Sequence, residues 1–571
     1  MKLRNLMWGA CACILVAGCS NDDVAVENSQ SNIVQEDGQA YMNVRVTMGN
    51  GLGSRAEEGE YEQGEPGEQT IHSIYFVFYD DNGNWVANGI PAGSTNVSEG
   101  TDNIDAIADA VVALSLPEGS PYPTQVVAYV NIPDAATQFG GKDLGDVNTN
   151  GGSAGENTGS IGARATILPG NGATVASTTT GFMMTNSTYL SEGGTEQIAT
   201  PVSRNNFFDT EDAAREANPV DIYVERLAAK VSITNNAIVE DVTTVGGYKL
   251  HFNAEGFALS GTNTQEYYLK HIQTAWSAWT WGWNEPDDFR CFWAEDPNYS
   301  AENAATGLEH VSYDAAASMA SPQYCMENTM VGTAAPDYST TTYLLLVGYY
   351  SVVNGEGETV DLTANGNDGN LYMYNGTAYL STELLERLLD EIQQKNPTFL
   401  AYVANTDPTT SEQSPYVQAD ADAYELVTTA ENEVTTVKLQ LKNEADTYYT
   451  TTNPSDADSY TLISDENYKT FNNKLAEAVA GTIDGYKGGK AYFAMPIEHF
   501  GGQEGDATGT YGIVRNHSYQ LTITLVSGLG EGVFQPEKPI IPSDEQKTYY
   551  MAARLNVLSW KTVGNQNVEF K

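Results

Sequence analysis

Residues 41–56 read YMNVRVTMGNGLGSRA. Met42, Val44, Val46 and Met48 alternate with Tyr41, Asn43, Arg45 and Thr47. That period of two is the pattern of a strand with one apolar face. The strand runs directly into glycine-rich sequence, Gly49 to Gly53, and then an acidic, glycine-containing stretch to Thr70. One well-formed strand is therefore joined to the rest of the chain by an exposed, extended segment carrying a single arginine, Arg55. Such a segment is open to proteolysis.

The same period recurs down the chain. Strands are predicted at 71–79, with an Asn82-Gly83 hairpin turn before Trp85, and at 124–132, 221–234, 341–350, 434–441, 489–495, 512–526 and 549–560. Arg226 and Lys230 lie among apolar residues in the 221–234 stretch. Helix signals are few. The best is 381–395, STELLERLLDEIQQK, with Ser381 as N-cap candidate, Glu383 in the first turn, and Pro397 as the stop. Leu384, Leu385, Leu388, Leu389 and Ile392 form its apolar face. Short strands with turn clusters and one or two helices predict a mostly β protein. The expected architecture is two β-sandwich-like (transthyretin-like/Greek-key) domains with a few short helices.

The N-terminus gives the export route. Lys2 and Arg4 precede an apolar run at residues 6–16, which ends in Val16-Ala17-Gly18-Cys19. This is a secretory signal, too short to span a bilayer. The small-small-Cys ending resembles a bacterial lipoprotein signal, in which Cys19 is lipidated. Residues 20–40 read as a polar tether. Asp22 and Asp23 resemble the acidic export signal of surface lipoproteins in the Bacteroidota; a plain hydrophilic spacer fits them equally.

Composition narrows the function classes. The chain has 571 residues, enough for two or three domains with sizeable cores. It holds 27 basic against 75 acidic residues, a net charge of −48, which disfavours nucleic acid and anionic membrane surfaces as partners. With 41% hydrophobic residues and 34 Tyr, the acid belongs to the exterior of a folded protein rather than to a disordered one. Beyond the signal and Cys19, only Cys291 and Cys325 remain. They could pair, closing a loop of roughly 34 residues worth about 3–4 kcal/mol, or stand as two buried thiols.

Catalytic patterns are weak. The six His (72, 251, 271, 310, 499 and 517) are scattered without zinc spacing. Gly151-Gly152-Ser153-Ala154-Gly155 matches G-x-S-x-G, but inside a Gly/Asn/Ser-rich loop rather than between strand and helix. Asp420/Asp422 and Asp456/Asp458 lack the glycine and distal Glu of a calcium loop. No cofactor, metal or enzymatic activity is expected. Trp276, Trp279, Trp281, Trp283 and Trp293 form an aromatic cluster, read either as core or as a platform for sugar rings.

The two ends of the chain share one design. After a Gly/Pro-rich linker at 528–539, Ala553, Leu555 and Val557 alternate with Arg554 and Asn556, again a strand with one apolar face. A sandwich that loses a strand exposes an open edge, which a neighbour's strand can fill. Each donated apolar anchor could add about 1.5–3 kcal/mol. Head-to-tail repetition of that contact does not close, so it builds a filament.

Several stretches, in order, resemble subunit precursors of Bacteroidales type V fimbriae, of the minor-fimbrillin (Mfa-type) branch. They are the Val16–Cys19 box, Ser54-Arg55-Ala56, VERLAAKVSI at 224–233, YFAMPIEHF at 492–500, and YGIVRNHSYQLTITLVSGLG at 511–530 with the terminal Leu-Asn-Val-x-x-Trp. The resemblance implies lipidation at Cys19 and cleavage by an arginine-specific protease between Arg55 and Ala56. It implies loss of the plug strand (Met42, Val44, Val46, Met48) and entry of a C-terminal strand (Ala553, Leu555, Val557) from another subunit. The expected layout is signal 1–19, tether and removable strand 20–55, an N-terminal domain 56–230, a C-terminal domain 231–548 and a donor region 549–571. Expected partners are other copies of the chain, anchor and tip subunits, and the outer membrane through the precursor's lipid, with the mature protein in a cell-surface fimbrium. The alternative is a surface glycan-binding lipoprotein using Trp276–Trp293. The sequence leaves open the adhesion ligand, the shaft, anchor or tip role, and the direction of a donated strand.

Overall fold

Strand β1 spans Gly38–Gly49 and contains the whole alternating stretch. The computed structural model describes residues 32–34, 38–49, 65–99, 104–147, 181–190, 196–263, 266–270, 294, 296, 308–319, 321–329, 338–406, 414–431, 434–442, 447–498, 511–542, 550–559 and 566–567. The protein is mostly β with few helices, as its patterning predicts.

In the N-terminal half, β1 is followed by β2 (Ile74–Tyr79), β3 (Trp85–Pro91), β4 (Asn96–Glu99), β5 (Ile104–Leu116), β6 (Gln125–Val130), β7 (Met184–Asn186) and β8 (Val220–Arg226). Going round the sheet the order is β1, β8, β7, β6, β2, β3, β5, and β5 pairs back onto β1. The circuit thus closes on itself, with β4 paired to β5 alone at its margin. The hairpin turn expected at Asn82-Gly83 is present: Asp80 Oδ1 accepts from the backbone N–H of Asn82 and Asn84, and Gly83 takes φ +77°. Inward side chains including Phe76, Phe78, Val126, Ala128, Ile222 and Val224 make one core with the inward face of β1. On the outside, Phe139 stacks on Tyr129 with ring centroids 3.8 Å apart.

The single strand expected over 221–234 is two strands. β8 ends at Arg226 and β9 runs Ala228–Val239. At Leu227, whose N–H donates to the Met183 carbonyl, the chain leaves the closed sheet and enters a second set of strands. These are β10 (Lys249–Ser260), β11 (Gln323–Met326), β12 (Tyr343–Val353), β13 (Lys490–Pro496), β14 (His517–Ser527) and β15 (Tyr550–Ser559). One sheet has the order β11, β9, β14, β15, and another contains β10, β12, β13. Their facing side chains, among them Val231, Ile233, Phe252, Leu344, Leu346, Phe493, Leu521 and Ile523, form a second core. The expected strand over 512–526 is likewise broken, by a turn in which Asn516 takes φ +59°.

Between β12 and β13 lies an inserted module with its own core. Its helix Ser381–Lys395 has the expected extent and buries Leu384, Leu388, Leu389 and Ile392. Its cap differs from expectation. Leu380 is the N-cap residue, its N–H donates to Glu383 Oε2 at 2.8 Å, and Ser381 is already helical, bonded to Asn367. A carboxylate reaching back from the first turn takes the part of a Ser cap. A second helix, Asp465–Ala478, has no counterpart in the sequence expectations.

Candidate assembly site

The site begins with β1 and the two strands that hold it. Met42, Val44 and Val46 are fully buried and Met48 is 1% exposed. β1 pairs antiparallel with β5 along its whole length, Gly38 opposite Leu116 and Gly49 opposite Ile104. On its other side Val44 to Met48 pair in parallel with Val220 to Val224 of β8. The large residues of β1 meet small ones on β5: Val44 faces Ala110, Val46 faces Ala108 and Met48 faces Ala106. Withdrawing β1 would leave a channel between β5 and β8 floored with buried alanine, Ile222 and Val224. The four inward side chains represent about 6–12 kcal/mol of apolar burial, at about 1.5–3 kcal/mol each.

The outer face of β1 carries one charge. Arg45 Nε donates to Asp109 Oδ1 at 2.8 Å, and Nη2 lies 3.4 Å from Oδ2. By register Arg45 stands opposite Asp109 on β5 and Asp221 on β8. Burial holds the Asp221 carboxyl above its ordinary range, Arg45 draws it down, and Asp109 pushes it up. Arg45 is thus the cation of a three-strand acidic row.

The start of the chain beyond the junction is pinned separately. Glu68 is fully buried. Its carboxylate takes Lys230 Nζ at 3.1 Å and the Tyr324 hydroxyl, and Arg226 Nε donates to its carbonyl at 3.0 Å. Arg226 and Lys230 flank the crossing at Leu227, so this cluster ties residue 68 to the strands on both sides of it. A neighbouring buried set pairs Arg515 with Glu266 at 2.5 Å and Glu327 at 3.1 Å, and Lys270 with Glu225 at 3.5 Å. Cutting the chain before Glu68 would release β1 and leave this cluster, with the strands it ties together, intact.

The C-terminal strand with Ala553, Leu555 and Val557 is present as β15. It pairs antiparallel with β14, Leu555 opposite Leu521 and Val557 opposite Tyr519. Cys325 is fully buried, which pushes its thiol up. Cys19, Arg55, Ala56, Cys291, the G-x-S-x-G match and the tryptophan cluster lie outside the described residues, Trp276 to Trp293 included. Among the described residues no group of His, Cys, Asp and Glu is placed to hold a metal ion. His251 pairs with Asp241, His310 sits by the Tyr343 hydroxyl, and His517 Nδ1 is 2.8 Å from the Arg515 carbonyl. Asp456 caps a short turn through the Asp458 N–H. A shallow cleft of about 380 Å³ between Arg204 and Ala213 adjoins Phe208, which bridges to Tyr41 of β1. Sequence reasoning missed Asp109, Asp221 and Glu68. The local signal in the sequence was a basic residue set among apolar ones, as at Arg226 and Lys230.

Residues 484–566, which hold β13, β14 and β15, match the family described as "Major fimbrial subunit protein type IV, Fimbrillin, C-terminal". Through that segment the chain is similar to the C-terminal part of fimbrillin-type fimbrial subunits. No curated protein matches it by sequence. Among solved structures, a fimbrilin (FimA) from Porphyromonas gingivalis W83 is 10% identical, with 92% of this chain and 99% of that one covered, at a TM-score of 0.34. The tip fimbrial protein Mfa3 from Porphyromonas gingivalis, with C-terminal truncation, is 10% identical over 91% and 100%, at 0.30. A fimbrial assembly protein from Parabacteroides distasonis ATCC 8503 is 12% identical over 71% and 96%, at 0.25.

Proposed function

We propose that this chain is a structural, non-enzymatic subunit of a surface fimbria of the Mfa-type branch that polymerises by protease-triggered donor-strand exchange and serves cell adhesion. The precursor is exported, lipidated at Cys19 and held at the outer membrane. An arginine-specific protease cuts between Arg55 and Ala56. Strand β1 then leaves, and β15 of another subunit enters with Ala553, Leu555 and Val557 as anchors. In this reading residues 56–230 form the accepting domain, 231–548 the second domain and 549–571 the donor region.

The observation that carries the reading is the position of β1. Among the described residues it is the first strand, it closes an otherwise continuous circuit, and the first fully buried residue beyond the junction is Glu68. A covalently attached strand with about 6–12 kcal/mol of buried apolar surface leaves slowly, so cutting acts as the trigger and a neighbour's strand as the replacement. Arg55→Ala should abolish polymer while leaving the monomer folded. Deleting 549–571 should abolish polymer even after cutting. Polymer from either variant at the unmodified level would sink the reading.

A further inference from the structure

The two end strands are similar to each other in sequence. Residues 41–48 read YMNVRVTM and residues 550–557 read YMAARLNV. Tyr, Met and Arg coincide at 41/550, 42/551 and 45/554. The inward positions of β1, Met42, Val44, Val46 and Met48, correspond to Met551, Ala553, Leu555 and Val557, all apolar. Thr47 corresponds to Asn556, another small polar residue. Read in the opposite direction with Arg554 kept on Arg45, Asn556, Arg554 and Met551 coincide with Asn43, Arg45 and Met48, and the inward positions are again all apolar, so the arginine fixes the register in either direction.

The acceptor has a feature that distinguishes these alignments from every slipped one. Arg45 sits in register between Asp109 and Asp221, and bonds Asp109. Once β1 leaves, the channel keeps both carboxylates and has lost their cation. In its own domain β15 places Arg554 opposite Thr522 and Asn567, neither of them acidic. The charge on Arg554 therefore finds complementary carboxylates in a neighbour's channel and not at its own register positions.

We propose that β15 enters a second copy of this chain in the register that puts Arg554 in the place of Arg45 on Asp109. The inference rests on the donor-strand reading above and adds to it the residue that sets the strand's register. A slip of one residue turns the apolar face outward, and a slip of two moves the arginine away from Asp109 by a full strand repeat. The apolar anchors hold the strand, and the arginine selects one position along the channel. A subunit lacking a cation at that position would be a poor donor to this one.

The test uses the full chain, cut after Arg55, in two measurements. In the first, Asn556→Cys is combined with Ile107→Cys or with Val111→Cys, since with Arg554 on Asp109 residue 556 lies either where Thr47 faces Ile107 or, with the strand reversed, where Asn43 faces Val111. A disulfide joining residue 556 to 107 or to 111 of a different subunit, mapped by peptide mass, is expected, and which of the two forms reads the direction. Polymer with neither link overturns the register. In the second, Arg554→Glu sets like charges against each other and should cut polymer yield about tenfold or more. Combining Arg45→Asp, Asp109→Arg, Asp221→Arg and Arg554→Asp restores the row with its signs exchanged and should restore polymer. Undiminished polymer from Arg554→Glu overturns the inference while leaving strand donation intact. Polymer from a chain lacking 549–571 overturns both.

Discussion

Replacing Met42 by Ala probes how firmly β1 holds the closed sheet together. Met42 is fully buried, points into the first core and faces Val112 across the β5 ladder. Truncating a buried Met to Ala costs about 2–5 kcal/mol, the lost transfer energy plus the cavity left behind. At about 2–4 °C per kcal/mol for a unit of this size, calorimetry of the uncut chain should show the N-terminal transition lowered by about 4–20 °C. Gln39→Ala, at an exposed position on the same strand, should change stability by less than about 0.5 kcal/mol. After cutting at Arg55 the same loss appears as weaker retention of the released strand, about thirtyfold or more at 1.4 kcal/mol per decade. A Met42→Ala chain that melts with the unmodified one would refute the packing argument, because β1 would then not be closing a dry core.

Three further outcomes rest on the same geometry. Ala108→Leu fills the space opposite Val46; overpacking of about 1–3 kcal/mol should lower the melting point and block polymer, measured on the cut chain. Lys230→Ala strands the buried Glu68 carboxylate, and urea denaturation should record a loss of about 3–5 kcal/mol, whereas a change under about 1 kcal/mol would show water entering the cluster. Glu225 is buried with its carboxyl held above the ordinary range, first by desolvation and against the pull of Lys270. A raised folded value means that its contribution is complete below the unfolded carboxyl range, near pH 4.5, and is lost as pH rises through the folded value. Melting points of the unmodified chain should therefore fall relative to Glu225→Gln from about pH 4.5 upward, and the opposite trend would mean that Lys270 outweighs burial.

β1 was legible because its four large inward residues alternate with polar ones. Its partner β5 was not. Ala106, Ala108 and Ala110 are good helix formers and carry no β-branched signal, and they are small because the facing positions on β1 are large. Tertiary packing overrode local propensity there. The helix Ser381–Lys395 shows five apolar positions at helical spacing, whereas Asp465–Ala478 buries only Phe471, Asn472 and Leu475 and leaves a thin pattern. The polar half of the site was visible from one side only. Arg226 and Lys230 could be singled out as basic residues in an apolar stretch, but Glu68 lies 162 positions before Lys230, and Asp109 lies 64 after Arg45. No local period reports a pairing at that separation.

The proposed replacement of β1 by a neighbour's strand, set off by cutting at Arg55, is tested most directly by mass analysis of the chain after cutting, with assembly size taken from the same sample. The fragment containing Met42–Met48 should be lost as chains beginning at Ala56 gather into detergent-resistant multimers. Chains cut at Arg55 that keep the fragment and stay monomeric, or multimers that still contain it one to one, would contradict strand exchange.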